Sequence, residues 1–266
     1  MFKSTFIAAL LISVIFTAAN AGDTVTFKGM TVNEGETPLM LTGKLTKPQG
    51  NGPFAAVVLL HGCMGPESWD DMWAERLKEW GYVTLIVDSL RHRGQGSICR
   101  DSFIVPCEEQ AKDAYAAKSY LAGIPYVDSN RIAVMGMSHG GSTIMYAINT
   151  DWFGGVKQSP DPFRAAITLY PLCLARLKGF NAPLLILIGE ADGIMSAKQC
   201  QDLQKSCMEE DPEHEIILKV YPRATHCFDW EGYSRRISGG LMLEYDPAAA
   251  ADASLRVREF LGNYLK

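Results

Sequence analysis

The sequence has no run of lysine or arginine beyond scattered pairs, and its 266 residues carry a net charge of −5. That leaves no basic stripe to meet a phosphate backbone, so nucleic acid is not an expected partner. Internal repeats and low-complexity tracts are also missing, which excludes solenoids, propellers and compositionally biased linkers. With hydrophobic residues at 47% and charged residues at 21%, the chain has the balance of a folded domain rather than a disordered one. Neither a Cys-x-x-Cys pair nor a clustered Cys/His spacing occurs, so no metal site is expected.

What is present begins with a leader. Lys3 precedes an apolar run over 6–16, and Ala19-Asn20-Ala21 supplies small residues where a signal peptidase requires them. The run is shorter than the ~20 apolar residues that span a bilayer. A cleaved signal ending near Ala21 is therefore expected, with no stable membrane anchor and a secreted or periplasmic mature chain. No cysteine follows at a lipoprotein position. The remainder, 22–266, has the length of one α/β domain.

Seven cysteines suit an oxidising compartment, although an odd count leaves one thiol unpaired. Cys99 and Cys107 flank a loop containing Pro106 and are the expected local bridge. Cys200 and Cys207 would need a helix to end between them, because seven helical residues span about 10.5 Å.

Two extended runs, 24–30 and 39–46, predict an antiparallel edge hairpin. Short runs that are apolar throughout follow at 54–60, 82–87, 132–137, 165–170, 184–188 and 215–221, as in parallel strands covered on both faces. Between and after them, 69–80, 108–121, 139–149, 197–207 and 248–264 place apolar residues at helical spacing. The alternation predicts a doubly wound, mostly parallel sheet with helices on both faces, whose ligands bind beyond the carboxyl ends of the strands. Only about a dozen residues separate the strands near 170 and 184, too few for a large lid.

Gly136-Met137-Ser138-His139-Gly140 joins a buried strand to a helix and has the G-x-S-x-G form of a nucleophile elbow. By itself this pattern also fits a structural serine in a glycine-rich turn. A serine hydroxyl is a weak nucleophile until a base accepts its proton and an acid holds that base. Gly189-Glu190-Ala191-Asp192 ends a buried strand, and Asp192 is the expected acid; its plain alternative is a cap for the helix beginning near Ser196. His226 follows the last strand and is the expected base, which completes the order Ser, Asp, His. The remaining histidines have weaker contexts: His61 reads as structural, His92 and His214 as loop residues. An oxyanion site is expected from the amide of His139 and that of Cys63, with Met64 as second choice, in the His61-Gly62-Cys63-Met64-Gly65 loop.

On Ser138, Asp192, His226, the His-Gly-Cys-Met-Gly loop and the His226-Cys227-Phe228 ending, the chain from about Phe54 onward resembles the dienelactone hydrolase family. The resemblance implies an α/β-hydrolase fold, hydrolysis of small esters or lactones, and no metal or organic cofactor. Ser138 stands where the founding enzymes have cysteine, and Gly62 where they have glutamate. The family holds a substrate carboxylate with arginine; Arg91 or Arg93 takes that role if either does, and ordinary surface charge is the other reading. The arginine expected after the histidine is replaced by Asp229-Trp230. A peptidase or acyltransferase with the same triad and a catalytically silent binding protein are the alternatives.

Overall fold

The computed structural model describes residues 22–31, 35, 37–150, 161–177 and 179–266. The expected leader, 1–21, lies outside the described residues, as do 151–160.

Strands β1 (Asp23–Lys28) and β2 (Met40–Thr46) pair antiparallel, with Asp23 opposite Leu45. Next come β3 (Phe54–Leu60), α1 (Ser68–Glu79), β4 (Val83–Asp88), α2 (Cys107–Ala122), β5 (Val127–Met137) and α3 (His139–Ala147). They are followed by β6 (Ala166–Leu169), β7 (Leu184–Gly189), α4 (Ala197–Glu210), β8 (Ile216–Tyr221), β9 (Ser234–Arg236), β10 (Met242–Glu244) and α5 (Pro247–Tyr264). The sheet order is β1-β2-β4-β3-β5-β6-β7-β8, antiparallel only at β1-β2 and β2-β4. Strands β3, β6 and β7 are almost wholly buried, which is why they read as unbroken apolar runs.

Crossover handedness distributes the helices. The chain leaves β3 toward β4 in one direction, and runs from β4 to β5, β5 to β6 and β7 to β8 in the other. Right-handed crossovers therefore put α1 on one face and α2, α3 and α4 on the opposite face. Helix α5 shares the face of α1, since the Arg258 guanidinium lies 5.9 Å from the ring of Trp80 at the end of α1. The direction reverses between neighbours β3 and β5, so the crevice beyond their carboxyl ends is the place to look for a ligand.

Two features depart from expectation. The β9-β10 hairpin was not foreseen, because its three-residue strands are largely exposed and carry no alternating pattern. The disulfides are Cys63–Cys99 and Cys173–Cys200, not Cys99–Cys107. Cys99 lies against the loop after β3, where the Ile98 amide donates to the Cys63 carbonyl at 2.8 Å. Cys107 instead opens α2 with its Sγ 3.9 Å from His139 Nδ1. Cys200 and Cys207 sit in one unbroken helix, so no bridge joins them.

Candidate active site

The crevice at the switch point holds Ser138, between β5 and α3, with φ 54° and ψ −114°. That conformation costs a non-glycine residue on the order of 1–3 kcal/mol and persists only where the surroundings enforce it. They do so by crowding: a Cβ on Gly136 would lie 2.4 Å from the Gly140 carbonyl oxygen, and one on Gly140 would lie 2.2 Å from that of Leu60. The turn is thus closed to side chains on both sides of the serine, whose Oγ stands at the start of α3.

His226 reaches it from the loop after β8, which is bent by left-handed residues on both sides, Arg223 (φ 63°) and Cys227 (φ 61°). Its Nε2 lies 2.9 Å from Ser138 Oγ and its Nδ1 2.7 Å from Asp192 Oδ2. The Asp192 side chain is fully buried. Its Oδ1 accepts from the Ile194 and Met195 amides, both at 2.8 Å. A carboxylate so held accepts from Nδ1–H and leaves the Nε2 lone pair facing the serine hydroxyl. Glu190, two residues nearer the strand, is exposed.

The loop after β3 is pinned by His61. Its Nε2 accepts from the Ser89 amide at 3.1 Å and its Nδ1 donates to the Gly62 carbonyl at 2.7 Å, which fixes one neutral tautomer. Burial pushes the imidazole down to about 4. Gln110, buried on α2, donates to the His61 carbonyl at 3.2 Å and accepts from Thr143 of α3 at 2.7 Å. The Cys63–Cys99 disulfide ties the other end of this loop down. Cys63 and His139 both border the crevice, and among the described residues neither amide has a protein acceptor. The His139 ring is turned away, 3.1 Å from the Val105 carbonyl, and burial lowers its pKa.

Beneath His226 lies a buried assembly that sequence reasoning missed. The Tyr170 ring centre is 4.6 Å from that of His226, and the Tyr170 hydroxyl donates to Asp229 Oδ1 at 2.8 Å. Trp69 and Trp73 of α1 donate their indole N–H groups to Asp229 Oδ2 at 3.0 and 2.7 Å. Burial raises the pKa of Asp229, and the three donors oppose that rise. These partners lie 59 to 160 residues apart in the chain, so no local pattern announces them.

A cavity of about 1090 Å³ opens over Ser138 and His226. The β9-β10 hairpin supplies part of its wall, including Arg235, Arg236 and Leu243. Arg91 and Arg93 do not border it. Arg91 is exposed and paired with Asp88 at 3.2 Å. Arg93 forms a fork on Asp113 at 2.7 and 3.0 Å and also donates to the Ser89 carbonyl. His214, read as a loop residue, is half-buried with Nε2 2.9 Å from the Ala182 carbonyl.

A mostly parallel eight-stranded sheet with helices on both faces and a serine on a strained strand-to-helix turn defines an α/β-hydrolase fold. The dienelactone hydrolase family profile matches residues 41–265, and the chain belongs to that family. Comparison with curated proteins gave no sequence match. Among solved structures, a Klebsiella pneumoniae protein described as a dienelactone hydrolase is similar with TM-score 0.69 and 17% identity, over 92% of this chain and 100% of that one. A dienelactone hydrolase-like promiscuous phosphotriesterase from metagenomic libraries is similar with TM-score 0.65 and 19% identity, over 93% and 100%. A thermophilic esterase of the planctomycete Thermogutta terrifontis has TM-score 0.65 and 15% identity, over 93% and 96%. At these identities the likeness is one of fold. Together with the family match, it supports an ester hydrolase in general terms.

Proposed function

We propose that the protein is a serine hydrolase that cleaves small carboxylic esters or lactones through an acyl-enzyme, with Ser138 as nucleophile, His226 as general base and Asp192 as its orienting acid. The observation that carries this reading is the continuous contact from Asp192 through His226 to Ser138, at 2.7 and 2.9 Å, with His226 and Ser138 lining one large cavity. His226 takes the Ser138 proton as Oγ attacks the carbonyl carbon, and the oxygen gains negative charge at the start of α3. The amides of Cys63 and His139 are the donors assigned to that oxygen. Collapse expels the alkoxide, which receives the proton from His226; a water then attacks the ester on Ser138 by the same route in reverse roles. No step calls for a metal or organic cofactor. The two disulfides fit an extracellular location, and we place the mature enzyme there, beginning near Gly22.

A fluorophosphonate probe tests the nucleophile directly. Covalent mass gained on the Ser138 peptide, together with turnover of a panel of p-nitrophenyl esters and lactones, is the expected result. Folded protein that takes up no probe and hydrolyses none of the panel overturns the reading in favour of a silent binding protein.

A further inference from the structure

The two amides assigned to the oxyanion come from separate elements, Cys63 from the loop after β3 and His139 from the first turn of α3. Such donors work only when both reach the oxygen that gains charge, and a misplacement of about 1 Å costs on the order of 10²-fold in rate. One buried side chain bridges the two elements. Gln110, on α2, donates from Nε2 to the His61 carbonyl at 3.2 Å and accepts the Thr143 hydroxyl on Oε1 at 2.7 Å. His61 stands two residues before Cys63. Thr143 stands one turn beyond His139, whose carbonyl lies 3.0 Å from the same hydroxyl. The amide cannot be turned over, because that would set an oxygen against the His61 carbonyl. Packing does not ask for an amide here: the buried positions that follow on α2 include Ala111, Ala114, Ala117 and Leu121. A buried amide is costly unless it is matched, and this one is matched at both ends.

We propose that Gln110 is a positioning residue that sets the distance between the two oxyanion donors by tying the His61 carbonyl to α3, so that its loss slows acyl transfer without weakening substrate binding. This rests on the esterase reading above. The Ser89 amide holds the His61 ring, and the disulfide to Cys99 holds the Cys63 side chain. Gln110 holds the His61–Gly62 peptide that joins them, and it does so from the helix packed against α3. Acylation and deacylation both put negative charge on the same oxygen. A displaced donor therefore slows the two steps together, which lowers kcat and leaves KM little changed.

Kinetics on the best p-nitrophenyl ester of the panel test the assignment, with circular dichroism at the assay temperature to select folded variants. Gln110→Met keeps the length of the side chain and removes its amide. It should lower kcat by about 10- to 100-fold, with KM little changed. The acid limb of kcat/KM against pH, which the triad sets, should keep its wild-type midpoint. Thr143→Val should lower kcat in the same direction, whereas Thr143→Ser, which keeps the hydroxyl, should stay near wild type. The double variant Gln110→Met/Thr143→Val should lose no more than Gln110→Met alone, because the two side chains form one strut. Thr143→Val and Thr143→Ser carry the test if Gln110→Met does not fold. Wild-type kcat in the folded variants overturns the inference, as does a loss carried by KM, a displaced acid limb, or losses that multiply in the double variant. In each of those cases wild-type Ser138 still takes up the fluorophosphonate probe. A wild type that takes up none instead brings down the esterase reading, and this inference with it.

Discussion

At the scale of single residues, the most direct expectation concerns Ser138. Ser138→Ala should lower kcat on the order of 10⁶-fold while the thermal midpoint stays close to wild type, because the hydroxyl supports only chemistry. Asp192→Asn should lower kcat on the order of 10⁴-fold, since an amide can present N–H to His226 and favour the wrong tautomer; steady-state kinetics at saturating ester reads both. His61 governs stability rather than rate. Its folded pKa of about 4 lies below the ordinary 6.5, so the unfolded chain binds the proton first as pH falls. Its contribution is complete above pH 6.5 and is lost progressively down to about pH 4, on the order of 3 kcal/mol in all. Urea titrations at pH 7 and pH 4.5 should show that loss, and His61→Asn should flatten the slope between them. The three residues proposed as the triad could be picked out in the sequence because each has a local signature: a glycine-framed serine, a carboxylate at the end of an apolar strand, and a histidine past the last strand of the main sheet. Arg91 and Arg93 had only the family resemblance to recommend them, and the carboxylates of Asp88 and Asp113 occupy both.

At the scale of elements, the loop after β3 and the loop carrying His226 are held by contacts from distant parts of the chain. The Cys63–Cys99 disulfide closes a span of 36 residues beside the assigned oxyanion donor. Cys99→Ser should cost roughly 3–4 kcal/mol of stability and lower kcat more than KM, read by calorimetry and kinetics on the variant against wild type. Asp229→Ala would strand two indole N–H groups and a phenol in the core. At about 1–3 kcal/mol for each orphaned donor, denaturant unfolding should register a loss on the order of 4 kcal/mol or more. Neither device was readable in advance. The helices and buried strands were, because apolar period and length mark them to within a few residues. Cysteine pairing and the tryptophan, tyrosine and aspartate assembly depend on which loops meet, and the one-dimensional pattern does not encode that. The β9-β10 hairpin escaped for a related reason: Ser234-Arg235-Arg236 is exposed along its length and buries no stripe that would betray a strand.

At the scale of the whole molecule, alternating order and sheet class followed from the sequence, while the exact strand order did not, since all the parallel runs look alike. The proposed export would leave a chemical record. Denatured, unreduced mature protein should take up three alkyl labels, on Cys107, Cys207 and Cys227, and seven after reduction; intact mass should place its first residue near Gly22. More than three labels before reduction would mean that the pairings are incomplete. The crowded elbow has a last consequence for anyone who surveys substitutions along the chain. Positions 136 and 140 should come up as empty in a growth or turnover screen as 138 itself, although neither glycine contributes an atom to bond-making. Intolerance in such a survey records steric exclusion and chemistry alike, and only a labelled nucleophile separates the two.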